Sequence, residues 1–134
     1  MKKQLTAISL FAGVGGIDIG FKRAGVETIW ANDYDKNACI TYRANFSNEL
    51  VEGKIEDIKS EDIPDTDIVL FGFPCTSFSI AGYRKGFDDE HTGHLFFEAL
   101  RVIKAKQPKA FLLENVKNLI SHDKGKTFRI IKDA

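Results

Sequence analysis

Cys75 stands in the run Gly72-Phe73-Pro74-Cys75-Thr76-Ser77-Phe78-Ser79, directly after an apolar stretch that reads as a buried strand. A thiol there has two readings. As a small apolar residue it fills a strand end. As a thiolate it is a soft nucleophile that adds to an electron-poor carbon. Open α/β sheets present reactive groups at the carboxyl ends of their strands, and Pro74 restricts the backbone so that it can aim the thiol. A second group of residues suggests a ligand. The loop Ala12-Gly13-Val14-Gly15-Gly16 follows a strand and opens a helix. Its glycines let backbone N–H groups approach a bound molecule, and the helix start favours negative charge. The dinucleotide fingerprint G-x-G-x-x-G is not met, because Asp18 occupies the place of its third glycine. That carboxylate also disfavours a phosphate. Asp33 ends the second strand, where a carboxylate can accept both hydroxyls of an adenosine ribose. Together these features fit a nucleoside cofactor without a pyrophosphate, S-adenosyl-L-methionine foremost, and speak against a nicotinamide dinucleotide. The plainer alternative is a tight strand–helix turn with a solvated Asp33. Asp57-Ile58, at the end of a weak third strand, could face an adenine.

These residues need a scaffold, and the chain spells out one. Thr6 to Phe11 reads as a strand, about Ile17 to Arg23 as a helix ending at Gly25, and Thr28 to Ala31 as a strand closed by Asn32-Asp33. Tyr34 to Asn45 reads as a helix, with Ala38, Ile40 or Thr41, Tyr42 and Phe46 on one face. A weak strand lies near Val51, and Ile68 to Gly72 is a strong one. Gly93 to Lys106 forms a helix with Leu95, Phe96, Ala99, Leu100 and Ile103 inward, and after Pro108 comes a strand from Ala110 to Leu113. Alternating strands and helices predict an α/β fold: a mostly parallel sheet with helices on both faces. Ile80 to Gly93 is the one long loop, punctuated by glycine and rich in charge, in the manner of a functional lid.

A length of 134 residues allows one domain, spanning 1–134. The 43% hydrophobic and 28% charged shares are those of a soluble globular protein. No signal peptide or membrane-spanning stretch is legible. The two cysteines, far apart in sequence, suggest neither a disulfide framework nor a zinc site. A reduced, cytoplasmic setting is the expectation. His91, His94 and His122 lack the spacing of a metal site. The net charge is +0, so the broad basic surface usual in duplex-binding proteins is missing. A nucleic-acid grip would have to come from a local patch, such as Arg84 and Lys85, or from polypeptide beyond this sequence. The last helix, starting at Lys126 with Phe128, Ile130 and Ile131 apolar, stops at Ala134 without a C-cap. The expectation is a piece of a larger protein, or one half of a split one.

Four elements in order carry a family resemblance: Leu10-Phe11-Ala12-Gly13-Val14-Gly15-Gly16, Asn32-Asp33-Tyr34-Asp35, Gly72 to Ser79, and Glu114-Asn115-Val116. They resemble the ordered motifs of the cytosine-5 DNA methyltransferases, of the bacterial restriction–modification type, over nearly the whole chain. The resemblance implies a Rossmann-like S-adenosylmethionine-dependent methyltransferase fold, here cut off after about five strands. It implies that Phe11, Gly13, Val14, Gly15 and Gly16 line the methionine and ribose part of the cofactor. Asp33 would hold the ribose, Tyr34 would pack on the adenine, Asp57 and Ile58 would border it, and Pro74 and Leu95 would lie at the methionine end. Cys75 matches the family's nucleophile and Glu114 its acid. The implied substrate is double-stranded DNA with a flipped-out cytosine.

The chemistry matches the residue types. Cytosine C5 is a weak nucleophile until a thiolate adds to C6, and an acid near N3 relieves the charge that then builds on the ring. The base must leave the duplex, which costs a few kcal/mol. Two departures stand out. The arginine usual before Gly-Thr or Gly-Ser and Leu-Phe-Phe is absent from His91-Thr92-Gly93-His94-Leu95-Phe96-Phe97, which puts the closure contacts of the Ile80 to Gly93 loop in question. The family's later motifs, including an active-site arginine pair and the target-recognition region, do not occur. An RNA cytosine-5 methyltransferase, and a cofactor-binding subunit inactive without a partner chain, are the competing readings.

Overall fold

In a computed structural model, residues 3–74 and 94–134 are described. Five strands, β1 (Thr6–Leu10), β2 (Glu27–Asp33), β3 (Glu49–Glu52), β4 (Ile68–Phe71) and β5 (Ala110–Leu113), form one sheet in the order β3-β2-β1-β4-β5. Every neighbouring pair is parallel. The helices are α1 (Gly16–Arg23), α2 (Lys36–Asn45), α3 (Leu95–Lys106), α4 (Asn118–Ser121) and α5 (Lys126–Asp133).

Strand alternation sorts the core onto two faces. Ala7 and Leu70 pack with Val26 and with Ile17 and Phe21 of α1 on one face. Ile8, Leu10, Trp30, Val69 and Phe71 pack with Leu95, Phe96, Ala99 and Val102 of α3 on the other. The alternating pattern thus yields the expected parallel sheet with helices on both faces. Details of the helix faces differ from expectation. On α2, Ile40 of the expected inner face is instead 56% exposed, and Cys39 beside it is fully buried. On α3 the fully buried residue of the last turns is Val102, while Leu100 and Ile103 only flank the core. Helix α2 starts at Lys36 because Asp35 caps it, its carboxylate accepting the Ala38 N–H at 2.8 Å.

The sheet is sewn together at its amino end by Asp67. Its carboxylate accepts the Thr6 N–H at 3.0 Å and pairs with Lys109 Nζ at 2.6 Å. One side chain therefore joins the starts of β1, β4 and β5. At the opposite, carboxyl end the order of winding reverses between β1 and β4, with β2 and β3 added on one side and β5 on the other. This is the switch point of the sheet, where open α/β folds bind ligands outside the strand ends.

Candidate active site

Two strand ends flank the switch point. Beyond β1 the chain bends sharply at Phe11 (φ 54°), a left-handed conformation that a bulky residue adopts only under constraint. The glycine loop follows. Gly13 and Gly15 are also left-handed, at φ 57° and 87°. Side chains at Gly13 or Gly16 would meet nothing, so these backbones stand open. Gly15 differs: a Cβ there would run into the Phe46 ring at the end of α2. The glycine loop is thus locked against α2 on one side and bare on the other.

Asp33 lies beneath this loop and is 9% exposed. One carboxylate oxygen accepts the Gly13 N–H at 2.7 Å and the other the Asp35 N–H at 2.8 Å. It therefore shapes the loop and starts α2. An ionised carboxylate has about four acceptor sites, so capacity for a ribose hydroxyl remains. Asp18 replaces the fingerprint's third glycine for a visible reason. It is 1% exposed and accepts hydroxyl hydrogen bonds from Ser9 at 2.8 Å and Tyr42 at 2.7 Å. Burial and this carboxylate push the Tyr42 phenol above its ordinary range. The network ties β1, α1 and α2 together directly behind the glycine loop.

A cleft of about 240 Å³ opens at the switch point, lined by Phe11, Asn32, Tyr34, Gly53, Lys54, Ile55, Glu56, Pro74 and Leu95. Four of the residues expected at a cofactor, Phe11, Tyr34, Pro74 and Leu95, meet here. Tyr34 is 65% exposed, its ring free to cover a planar group. The wall formed by residues 53–56 was not legible in sequence. Asp57 does not end the third strand as expected: β3 stops at Glu52, and Asp57 lies in a 3₁₀ turn (Ile55–Asp57) with Ile58 just after it. Neither lines the cleft directly. Gly53 departs from strand geometry (φ 159°), while Asn32 Nδ2 donates to the carbonyls of Val51 and Gly53, both at 2.9 Å, fixing where the wall begins. Glu56 pairs with His94 at 2.8 Å. Burial raises the Glu56 pKa, but the His94 hydrogen bond, a backbone N–H and Lys54 outweigh it, leaving the carboxyl below its usual range. A larger hollow of about 520 Å³ lies at the other end of β2, around Gln4, Glu27 and Asn48, and contains none of the expected site residues.

Glu114 follows β5 directly, and its N–H donates to Phe71 O at 3.0 Å, so acid and β4 end side by side. A Cβ on Gly72 would lie 3.1 Å from Glu114 Oε2. The bare glycine lets the carboxylate lie across the strand end that leads to Cys75. Asn115 braces the same segment, Nδ2 donating to Phe73 O at 3.0 Å while Oδ1 accepts the Val116 N–H at 2.9 Å. Cys75 itself, the loop Ile80 to Gly93 with Arg84 and Lys85, and His91 lie outside the described residues. Cys39 is a packed thiol: burial, with Asp33 adding, pushes its pKa up, away from reactivity. Among the described residues no cluster of His, Cys, Asp or Glu could hold a metal ion. No helix among them is long and apolar enough to cross a membrane.

Comparison with known proteins agrees with this fold. The chain is 63% identical over 132 residues to the type II methyltransferase M.Bsp6I of Bacillus sp. (strain RFL6), covering 98% of this chain and 42% of that protein. It is 45% identical to M.HhaI of Haemophilus parahaemolyticus, covering 98% of this chain and 41% of that protein. The chain therefore spans about two-fifths of the length of these relatives. Among solved structures, a DNA modification methyltransferase encoded within an E. coli prophage superposes with a TM-score of 0.78 at 28% identity, over 96% of this chain and 37% of that one. The S. pombe Dnmt2 methyltransferase shares the fold, with a TM-score of 0.73 at 19% identity over 96% of this chain and 40% of that one. The family model for C-5 cytosine-specific DNA methylases matches residues 5–134, and the chain belongs to that family.

Proposed function

We propose that this chain is the cofactor-binding and nucleophile-bearing part of an enzyme that methylates C5 of cytosine in DNA. The observation that carries the reading is the convergence in one cleft of Phe11, which leads into the glycine loop, Tyr34, Pro74 and Leu95, with Glu114 beside the end of β4. S-adenosyl-L-methionine fits the residues present: bare backbone at Gly13 and Gly16, a buried Asp33, an exposed aromatic ring, and a buried Asp18 that discourages phosphates. Phe11, Gly13, Val14, Gly15 and Gly16 would hold its methionine and ribose part and Asp33 the ribose. Tyr34, with Asp57 and Ile58 behind the wall, would take the adenine, and Pro74 and Leu95 the methionine end. When bound, the cofactor supplies an electrophilic methyl group.

The chain's own residues do the rest. The Cys75 thiolate forms a bond to C6 of the extruded cytosine, and the electron pair displaced from the C5–C6 double bond makes C5 nucleophilic. Glu114 donates a hydrogen bond or proton at N3, where charge accumulates. After methyl transfer, a base removes the C5 proton and the Cys75 sulfur leaves, restoring the ring. Asn115 holds the Phe73 carbonyl, so the backbone entering Cys75 is braced from β5.

The 134 residues alone form an incomplete enzyme in this reading. The relatives continue well beyond the matched part. Both sides of β5 are uncovered, Phe111 being 58% and Leu112 40% exposed, and Phe128 and Ile130 are each 37% exposed nearby in sequence. Polypeptide corresponding to the relatives' remaining length would cover these residues, complete the cleft and read the DNA target, in continuation or as a second chain. Calorimetric titration with S-adenosylmethionine and with a nicotinamide dinucleotide tests the cofactor. Methyl transfer to duplex DNA and to RNA, after addition of that missing polypeptide, tests the substrate. Binding of the dinucleotide alone, or transfer to RNA alone, would contradict the reading.

A further inference from the structure

We propose that Arg101 is a positioning residue that holds the adenine-side wall of the cleft in shape. The inference rests on the cofactor reading above. The wall, Gly53 to Glu56, runs on through Asp57 into Ile58, and the regular structure of this segment is a single 3₁₀ turn, Ile55–Asp57. Two long bonds close that turn, Asp57 N–H to Lys54 O at 3.1 Å and Ile58 N–H to Ile55 O at 3.2 Å. One turn of this kind has poor hydrogen-bond geometry and little stability of its own. It must be held from outside.

Arg101, in the middle of α3, does so. Its Nη2 donates to the carbonyls of Ile55 at 3.1 Å and Ile58 at 3.0 Å, and its Nη1 donates to Ser60 Oγ at 2.7 Å. Nε donates to Glu98 Oε2 at 2.9 Å, so the guanidinium is itself fixed one turn back on the same helix. Ile55 opens the turn and Ile58 follows its last residue, so one guanidinium nitrogen ties the two ends of the turn together. A planar fork spans such a spread of acceptors, and a lysine ammonium does not. Helix α3 grips the same wall a second time through His94 and Glu56, and it places Leu95 in the cleft. Wall and helix are therefore fastened as one body, with the cleft between them.

The test is titration of the chain, complemented with the missing polypeptide, with S-adenosylmethionine and, separately, with adenosine, followed by amide NMR well below the melting temperature. Arg101→Gln is expected to weaken both ligands by the same factor, about tenfold. Arg101→Lys should recover only part of that loss. Lys106→Gln, which breaks a pair with Asp65 at the far end of α3, should leave both affinities unchanged. The Asp57 and Ile58 amides should exchange faster with solvent in both Arg101 variants. If Arg101→Gln does not fold, Arg101→Lys carries the same comparison. Unchanged affinity in a folded Arg101 variant, even one with a lowered melting temperature, would overturn the positioning role and leave the cofactor reading standing. Failure of the unmodified, complemented chain to bind either ligand would remove the cofactor reading itself, and the proposal with it.

Discussion

Single side chains set the shape of the cleft, and their replacement gives sharp expectations. Tyr42 and Ser9 are the hydroxyl donors to a carboxylate that is almost wholly out of water. Tyr42→Phe leaves one oxygen of Asp18 buried without that donor, at a cost of about 1–3 kcal/mol. Urea denaturation should show that loss as a lower midpoint with an unchanged slope. Gly15→Ala combines a left-handed backbone with a collision against Phe46. The backbone strain alone costs about 1–2 kcal/mol. The loop must also shift, so S-adenosylmethionine binding should be lost even where the variant folds, as titration would reveal. At this scale glycines, Asp33 and the Pro-Cys element stand out in sequence by type and spacing; of the expected site residues the structure brings Phe11, Tyr34, Pro74 and Leu95 to one cleft, and Cys75 lies outside the described residues. Asp18 was visible only as a break in a fingerprint, since nothing local says that a hydroxyl twenty-four residues away will meet it. Asn32, Asn115 and Arg101 gave no such signal. Each works by reaching backbone carbonyls that are close only in the folded chain.

At the scale of elements, strands and helices followed from hydrophobic periodicity, and their errors were errors of register. On α2, Tyr42 of the expected face is buried while Ile40 is exposed, a miss that an approximate 3.6-residue period allows. The third strand was extended too far because the segment from Gly53 to Ile63 has no period at all: it is two short 3₁₀ turns held from α3. Sheet order could be expected from the alternation of elements but not the stitch that pins its amino end. There the hydrogen bond and charge of Lys109, with the Thr6 N–H, lower the Asp67 pKa to about 2. A carboxyl depressed in the folded state stabilises the fold above its unfolded value near 3.8, and that contribution disappears as pH falls through about 2. Asp67→Asn should therefore be less stable than the parent at neutral pH, and the difference should shrink between pH 4 and pH 2. Thermal melts across that range check it. A gap that widens toward acid would contradict the assignment.

For the whole molecule, the unusual feature is an apolar strand edge facing solvent. Phe111 and Leu112 together with Phe128 and Ile130 are poorly covered for residues of their size. The account expects Phe111→Lys to abolish association with a separately produced polypeptide matching the remaining length of a relative such as M.Bsp6I, while the same change at exposed Ile40 on α2 leaves association intact. Analytical ultracentrifugation distinguishes the two. Sequence alone led to the expectation of a larger protein; the sheet order makes β5 an edge among the described residues, which is where the proposed further polypeptide would be seated. The central claim, however, concerns one sulfur. The direct measurement is covalent trapping on duplex DNA containing 5-fluorocytosine, with S-adenosylmethionine and the complemented enzyme, because fluorine at C5 cannot be removed as a proton. The account predicts a stable protein–DNA adduct whose mass maps to the peptide containing Cys75 and which disappears in Cys75→Ala. An adduct that persists in Cys75→Ala, or methylation of ordinary DNA by that variant, would contradict it.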